Sequence, residues 1–354
     1  MEHQIIKINQ GSARTFRKSV LIIYTGGTIG MAYADDGILV PFDFEKIITE
    51  MPSLRAMDLE ITVVSFAQPI DSSNVTFEHW NEMAKLIEQF YSQHQGFVIL
   101  HGTDTLAYSA SALSFMLENL QKPVIFTGSQ LPMGAIRSDA GQNLVAALQI
   151  ASCGTPGPIV REVCIYFDHI LFRGNRSKKV ESLHFDAFKS ENYPALAEVG
   201  INIEYNYAVL AEVTEKEPFK IYSIKPVCIG LVKLFPGLEE SYFKHILSTP
   251  GLRALVLETF GSGNAPTSAW FTHSIAQAID NGLVVFNVSQ CNGGRVIQGR
   301  YVTSKHLLEA GVISGRDITT EAALSKLQFL FTKYQNLDQI KRVLASPLRG
   351  EMSN

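Results

Sequence analysis

Cysteine is scarce and scattered: Cys153, Cys164, Cys228 and Cys291 are the only four in 354 residues, with no C-x-x-C pair and no H-x-x-x-H spacing. This excludes a disulfide framework and a Cys/His zinc centre, and it suits a reducing compartment in which each thiol is a buried structural residue. An excess of one charge is missing too. Lysine and arginine number 30 against 34 acidic residues, a net charge of −4, so there is no basic stripe and nucleic acid is not expected as a partner. No apolar run nears the roughly 18 residues of a membrane span, and no membrane partner is expected. The polar leader "MEHQIIKINQGSARTFRK" gives way to an apolar run of only about five residues, too short for the core of a secretion signal. A cytoplasmic protein is the simplest expectation. No G-x-x-x-x-G-K-[ST] occurs either, which excludes a P-loop nucleotide enzyme.

What the chain does contain is an ordinary globular composition, 46% hydrophobic and 18% charged, on a length that suggests two domains. Short β-rich apolar runs alternate with helical patterns, the mark of β-α-β units around a parallel sheet. The first set is "SVLIIYT" (19–25), "EITVVSF" (60–66), "GFVIL" (96–100), "PVIFTG" (123–128) and "EVCIYF" (162–167). Between them, 105–120 reads as a helix with Leu106, Ala110, Leu113, Leu117 and Leu120 on one face. Residues 139–151 read as a helix opened by a capping box of Asp139 and Gln142. The stretch 190–226 is turn-rich and weakly patterned, a connection with room for a small hairpin. A second set follows: "VCIGLVKLF" (227–235), "LRALVLETF" (252–260) and "GLVVFNV" (282–288), with helices near 319–334 and 337–345. The expected organisation is α/β: a parallel-sheet domain over 18–195, a linker over 196–226 and a smaller α/β domain over 227–354.

Ligands of open parallel sheets sit beyond the carboxyl ends of the strands. The first strand ends in "TGGTIGM" (25–31), where Gly27 and Gly30 match the last two glycines of a dinucleotide fingerprint but Thr25 stands for the first. Taken alone, this turn fits a defective nucleotide loop and a hydroxyl site equally well. The other strand ends carry "DSSN" (71–74), "HGTDT" (101–105), "TGSQ" (127–130) and "RGNRSKK" (173–179). Each has a plain structural reading. Thr103 and Asp104 suit a helix cap, Ser72 and Ser73 suit loop hydrogen bonds, the basic run suits a solvated loop, and His101 suits a structural strand end. Those readings leave unexplained why hydroxyls follow four of five strands at one edge, joined by one aspartate and one lysine.

That set suits acyl transfer by a threonine nucleophile. A threonine hydroxyl needs an adjacent base, and a partly desolvated lysine can lose its proton and serve as one. Backbone N–H groups at a strand-to-helix turn supply an oxyanion hole. Gly26, Gly27, Gly102 and Gly128 would let the backbone approach the reacting carbon. Ser72 would hold a carboxylate and Asp104 an ammonium, which points to an amino-acid substrate.

With these residues in view, the chain resembles the bacterial-type L-asparaginase family, and specifically its cytoplasmic type I branch. The motifs that carry the resemblance are "YTGGTIGM", "DSSNVT", "GFVILHGTDT", "LSFMLENL", "TGSQLP", "FRGNRSKK" and "ETFGSGNAP", and it runs from about residue 20 to the closing "LRGEM" at 348–352. The resemblance implies a Rossmann-like parallel-sheet N-terminal domain with a smaller α/β C-terminal domain. It implies hydrolysis of L-asparagine to L-aspartate and ammonia, without cofactor or metal. Thr28 would be the nucleophile, with Thr103, Asp104 and Lys179 as a supporting triad. Ser72, Ser73, Thr103 and Asp104 would hold the α-carboxylate and α-amino groups, and Ser129 would lie beside the amide. The lid tyrosine of the family maps to Tyr33, although alignment by Gly37 and Pro41 puts Ile38 or Leu39 there. A homodimer or homotetramer is implied, in which a neighbouring subunit closes each site and Asn264 completes it. In type I relatives activated by a second asparagine, a threonine precedes the catalytic lysine and an arginine precedes the G-x-GNAP motif. Lys178 and Glu258 hold those positions here, so such activation is not expected.

Two other readings stand beside this one. The amidase subunit of a tRNA-dependent amidotransferase is related, but carries an extra N-terminal module that about 20 residues cannot make. A dinucleotide-binding oxidoreductase would use Asp71 as its ribose acceptor, yet lacks the first glycine.

Overall fold

The computed structural model describes residues 3–8, 18–33, 39–41, 51–152, 159–212 and 217–354, and the chain divides into two compact units at Tyr222/Ser223. The first unit carries nine strands in one sheet: β1 (His3–Ile8), β2 (Ser19–Gly26), β3 (Glu60–Ile70), β4 (Gly96–Leu100), β5 (Val124–Thr127), β6 (Val163–Phe167), β7 (Ile170–Arg173), β8 (Ala197–Val199) and β9 (Ile203–Tyr205). They lie in the order β1-β3-β2-β4-β5-β6-β7-β8-β9. The central run from β3 to β6 is parallel, while β1 and β7 to β9 are antiparallel.

The physical reason is written in the runs themselves. Every residue of β2 and β4 is buried, as strands covered on both faces must be. The edge strand β1 leaves Ile5 about half exposed, and its mixed "HQIIKI" pattern reads as part of a polar leader. Strands β8 and β9 come from the weakly patterned stretch after 190, and they extend the main sheet as a hairpin instead of standing apart from it.

Three helices matter for the site: α1 (Phe77–Phe90), α2 (Leu106–Met116) and α3 (Ala140–Ala151). Helix α2 was expected to bury one face, yet all its residues except Tyr108 are buried, and it ends at Met116 rather than near 120. Leu117 and Glu118 instead pair with Ile221 and Lys220 in a two-stranded ribbon. The capping box expected at 139 is not formed. Asp139 stands at the N-cap of α3 without a side-chain cap, because its carboxylate accepts from the backbone N–H groups of Gln130 and Leu131.

In the chain, β2 leads outward to β3, and β4 then returns to the other flank of β2. Connections leave β2 and β4 in opposite directions at this point, so their carboxyl ends part to form a crevice.

The second unit has four parallel strands, β10 (Ile229–Lys233), β11 (Ala254–Thr259), β12 (Val284–Ser289) and β13 (Ile313–Ser314), in sequential order. Its helices are α4 (Glu240–Leu247), α5 (Ala269–Asp280), α6 (Val302–Glu309), α7 (Thr320–Lys333) and α8 (Leu337–Leu344). Its C-terminal residues are locked inward. Lys326 on α7 and Glu351 are both fully buried and lie 2.6 Å apart. The Lys326 ammonium also donates to the carbonyls of Leu344 and Ser346, while Glu351 accepts from the N–H groups of Leu348 and Arg349. Burial pushes the Lys326 pKa down, against the pull of Glu351.

Removing one member of such a pair strands the other charge in a dry interior. Lys326→Met should therefore cost about 3–5 kcal/mol in chemical denaturation. Lys326→Met combined with Glu351→Gln should cost less than the two single losses added together.

Candidate active site

The strand ends of the first unit converge on one loop, residues 101–105. Thr25 at the end of β2 donates its hydroxyl to the Leu100 carbonyl, 2.9 Å away, tying the β2 turn to the end of β4. Beyond it, Gly27 has φ +88°, and a Cβ there would lie 2.5 Å from the Gly102 amide nitrogen. Only glycine lets the two turns pass this closely. On the far side of Gly102, a Cβ would meet the Ser72 hydroxyl at 2.6 Å. These glycines were expected to admit a reacting carbon; Gly27 and Gly102 instead admit neighbouring loops. Thr105 donates to the Ser72 carbonyl at 2.7 Å, and His101 N–H donates to the Thr127 carbonyl at the end of β5.

This arrangement sets Thr28 and Thr103 one residue beyond the crossing of Gly27 and Gly102. Thr28 opens a short 3-10 turn, 28–30, and is partly exposed. Lys179 reaches the loop from the opposite flank. Its ammonium lies 2.8 Å from the Thr103 hydroxyl oxygen and 2.6 Å from a carboxylate oxygen of Asp104. Lys179 is thus brought to the adjacent Thr103 and Asp104 from 76 and 75 residues away in sequence.

The scaffold that presents Lys179 is not the solvated loop expected for "RGNRSKK". Arg173, Asn175, Arg176 and Ser177 are all buried. Arg173 is paired with Glu162 at 2.6 Å, and the guanidinium groups of Arg173 and Arg176 stand over the Tyr193 ring at 4.3 and 5.1 Å. The Ser177 hydroxyl donates to the Arg173 carbonyl at 2.7 Å, closing the turn. Lys179 then pairs across a short ribbon with Phe188, whose buried ring packs on Phe167. Sequence reasoning missed Glu162 and Tyr193, because only the fold brings them beside the motif.

The remaining hydroxyls differ in what they do. Ser72 is buried against Gly102, whereas Ser73 is exposed and donates both its N–H and its hydroxyl to Asp71. Those two bonds hold the Asp71 carboxyl below its ordinary range and commit it to its own turn. Ser129 is buried, and its hydroxyl oxygen has no hydrogen-bond partner among the described residues. Tyr33 ends a three-residue strand opposite Leu39, but its side chain, like all of Ile38, lies outside the described residues. Asn264 belongs to the second unit, where its side-chain oxygen accepts from the Thr303 hydroxyl at 2.8 Å.

His101 is structural, as its plain reading held. The ring Nδ1–H donates to the Gly102 carbonyl at 2.8 Å, which leaves Nε2 to accept from the Ser109 hydroxyl at 2.9 Å. Ser109 in turn accepts from the Trp80 indole N–H. Full burial pushes the His101 pKa down to about 4, so the ring is neutral at physiological pH.

Among the described cysteines, Cys164 is buried but Cys228 and Cys291 are exposed, against the expectation of buried thiols; Cys153 lies outside the described residues. Among the described residues, no group of three or more His, Cys, Asp or Glu could hold a metal ion. No described helix is long and apolar enough to cross a membrane.

Comparison with known proteins gives the site its relatives. Residues 19–211 match the family described as Asparaginase, N-terminal, and residues 228–344 match the Glutaminase/Asparaginase C-terminal domain. The chain belongs to the asparaginase family. The L-asparaginase 1 of Escherichia coli (strain K12) is 41% identical over 339 residues, covering 95% of this chain and 98% of that protein. The crystal structure of L-asparaginase I from Vibrio cholerae superposes with a TM-score of 0.88 at 42% identity, covering 96% of this chain and all of that one. A more distant relative, a glutamyl-tRNA(Gln) amidotransferase component from Saccharolobus islandicus, is 31% identical over 95% of this chain and 76% of its own length. With membership of this family the oxidoreductase reading of the first glycine turn falls.

The buried neutral histidine makes stability depend on pH. His101 is depressed from 6.5 to about 4, so its contribution is complete above pH 6.5 and is lost as pH falls through 4. His94, likewise lowered to about 4 by burial, acts in the same direction. Unfolding free energy from denaturant titration should drop by about 2 kcal/mol per histidine between pH 7.5 and 5. His101→Gln should make that dependence shallower; an unchanged slope would show that His101 titrates normally.

Proposed function

We propose that this asparaginase-family chain is an L-asparagine amidohydrolase, producing L-aspartate and ammonia through a threonine acyl-enzyme. One observation carries the reading: Lys179 lies within hydrogen-bond distance of both Thr103 and Asp104, on the loop against which the Thr28 turn packs.

In this mechanism the Thr28 hydroxyl oxygen attacks the side-chain amide carbon of asparagine, and the proton it gives up is the one the leaving nitrogen takes at collapse. The carbonyl oxygen takes up negative charge in a tetrahedral intermediate, which the N–H groups of the strand-end turns stabilise. Collapse breaks the C–N bond, the leaving nitrogen takes a proton, and ammonia departs. An aspartyl ester on Thr28 remains. Water then attacks this ester, oriented by the Thr103 hydroxyl that Lys179 holds, its proton passes to the Thr28 oxygen, and the second collapse releases L-aspartate and restores the Thr28 hydroxyl.

Ser72, Thr103 and Asp104 hold the α-carboxylate and α-ammonium groups, and Ser73 joins them once its hydroxyl turns from Asp71 to the substrate. The exposed Asp104 carboxylate has a second oxygen to offer an ammonium, while its first takes Lys179. Ser129 meets the amide, which gives its hydroxyl the partner it lacks among the described residues. In this reading Tyr33 is the lid tyrosine, and Asn264 completes the site of a homodimer or homotetramer in the cytoplasm. Release of ammonia from free asparagine, by the purified chain alone, separates this activity from that of an amidotransferase subunit.

Thr28→Ala and Thr103→Ala should each lower kcat by orders of magnitude with thermal unfolding close to wild type, since each removes one partly exposed hydroxyl. Lys179→Met should depress kcat more than it changes KM, and Lys178→Met should be tolerated, because neighbours in an extended segment point opposite ways. Near-normal turnover in either threonine variant would sink the mechanism.

The rate should rise hyperbolically with asparagine. Glu258 places a carboxylate where an effector carboxylate would need a cation, and its Oε1 accepts from the Thr320 hydroxyl. A Hill coefficient clearly above one, lost in Glu258→Ala, would contradict this.

A further inference from the structure

We infer that Asp139 and Asn143 are positioning residues that fix Ser129 at the amide end of the substrate, an inference that rests on the role given to Ser129 above. They lie four residues apart at the start of α3, where a helix offers two side chains on one face. Between them they hold both peptide groups that flank Ser129. The Asn143 amide nitrogen donates to the Gly128 carbonyl at 3.0 Å, fixing the peptide before it. The Asp139 carboxylate accepts from Gln130 N–H at 3.0 Å and from Leu131 N–H at 3.1 Å, fixing the peptides after it. The two side chains are themselves joined, Asn143 Nδ2 donating to Asp139 Oδ2 at 3.2 Å.

Ser138 closes the far end of the same turn by donating to the Leu131 carbonyl at 3.3 Å. The Gln130 side chain reaches forward to the His184 carbonyl at 2.9 Å, in the segment that follows Lys179. The clamped turn therefore connects the Ser129 side of the site to the lysine side.

The pair serves the turn at the expense of its own helix. An aspartate at an N-cap ordinarily accepts from the helix's first N–H groups, and here that bond is forgone. Asn143 is buried, so its amide must find partners inside the protein, and both that it finds lie on or beside this turn. What the clamp surrounds is the opposite case, a buried hydroxyl with no internal partner among the described residues. A serine in a loose turn would rotate or shift until its hydroxyl met a carbonyl. Held at both neighbouring peptides, the Ser129 backbone cannot shift toward one, and its hydroxyl stays available for the substrate amide. Rigid placement of this kind favours the reacting geometry without adding a contact to the substrate.

A double-mutant cycle on kcat/KM for L-asparagine tests this. Ser129→Ala should lose roughly tenfold or more, and Asn143→Ala should lose about fivefold or more with most of its thermal stability kept. If Asn143 acts through Ser129, the double variant should be no worse than Ser129→Ala within about twofold. Losses that multiply in the double variant would show a separate structural role and overturn the inference, as would full activity in Asn143→Ala. Should Asn143→Ala fail to fold, Asp139→Asn takes its place in the same cycle, because it removes one oxygen from the clamp and keeps the side chain's size. Normal turnover in Ser129→Ala would remove the role of Ser129 itself, and with it this inference. Thr28→Ala and Lys179→Met, measured alongside, would then report on the hydrolytic reading independently.

Discussion

The site depends on one steric constraint, the passage of two turns at Gly27 and Gly102 with no room for a side chain between them. β2 and β4 are hydrogen-bonded neighbours whose connections leave in opposite directions, so their carboxyl-terminal turns share a crevice. The glycines decide how close those turns come. With a Cβ at Gly27 the backbones would have to separate, and the threonine that follows would move with them, whereas a Cβ at Gly102 would strike the Ser72 side chain. The approach also leaves Gly102 against Ser72, so the third loop is referenced to the same point. A contact between backbones is stiffer than one between side chains, and reacting groups set by such contacts inherit that stiffness.

Charge is placed by a different device. Lys179 is partly buried and spans from one flank of the crevice to Thr103 and Asp104. A flexible lysine holds such a geometry only if its backbone is fixed, and the preceding turn is fixed by buried charge. Arg173 meets Glu162, Arg173 and Arg176 share the Tyr193 ring, and Glu162 and Arg173 reach on to the backbone at Ala211 and Val209. A buried ion pair adds little net stability, but it tolerates few alternative arrangements. Here that intolerance keeps the lysine in register.

Hydroxyl groups dominate the strand ends, and the fold divides them by partner. Thr25, Thr105 and Thr127 donate to the carbonyls of Leu100, Ser72 and Tyr166, so they tie strands and loops together. Ser73 closes its own turn on Asp71. Thr103 accepts from Lys179, and Ser129 has no partner among the described residues. Residues of one chemical type, gathered at one edge, thus either tie the scaffold together or keep a hydroxyl available, according to which partner the tertiary structure brings within reach.

The sequence by itself determined the alternation of elements, the central parallel strands and the edge at which polar residues gather. These follow from local rules, since a strand covered on both faces must be continuously apolar and a strand-to-helix turn must be polar and rich in glycine. Its motifs also singled out Thr103, Asp104 and Lys179, which the fold brings together. It did not reveal the antiparallel strand at 3–8, nor that the hairpin allowed for within 190–226 joins the main sheet at 197–205. Nor did it reveal that "RGNRSKK" is buried, because charged residues look solvated until Glu162 and Tyr193 arrive from elsewhere in the chain. Asp139 shows the same limit: the spacing around it matched a helix cap, but two N–H groups from the turn at 130 took its carboxylate. Only the tertiary structure decided these outcomes, because hydrogen bonds and ion pairs are settled by which groups meet in space, and the sequence orders the groups without their distances.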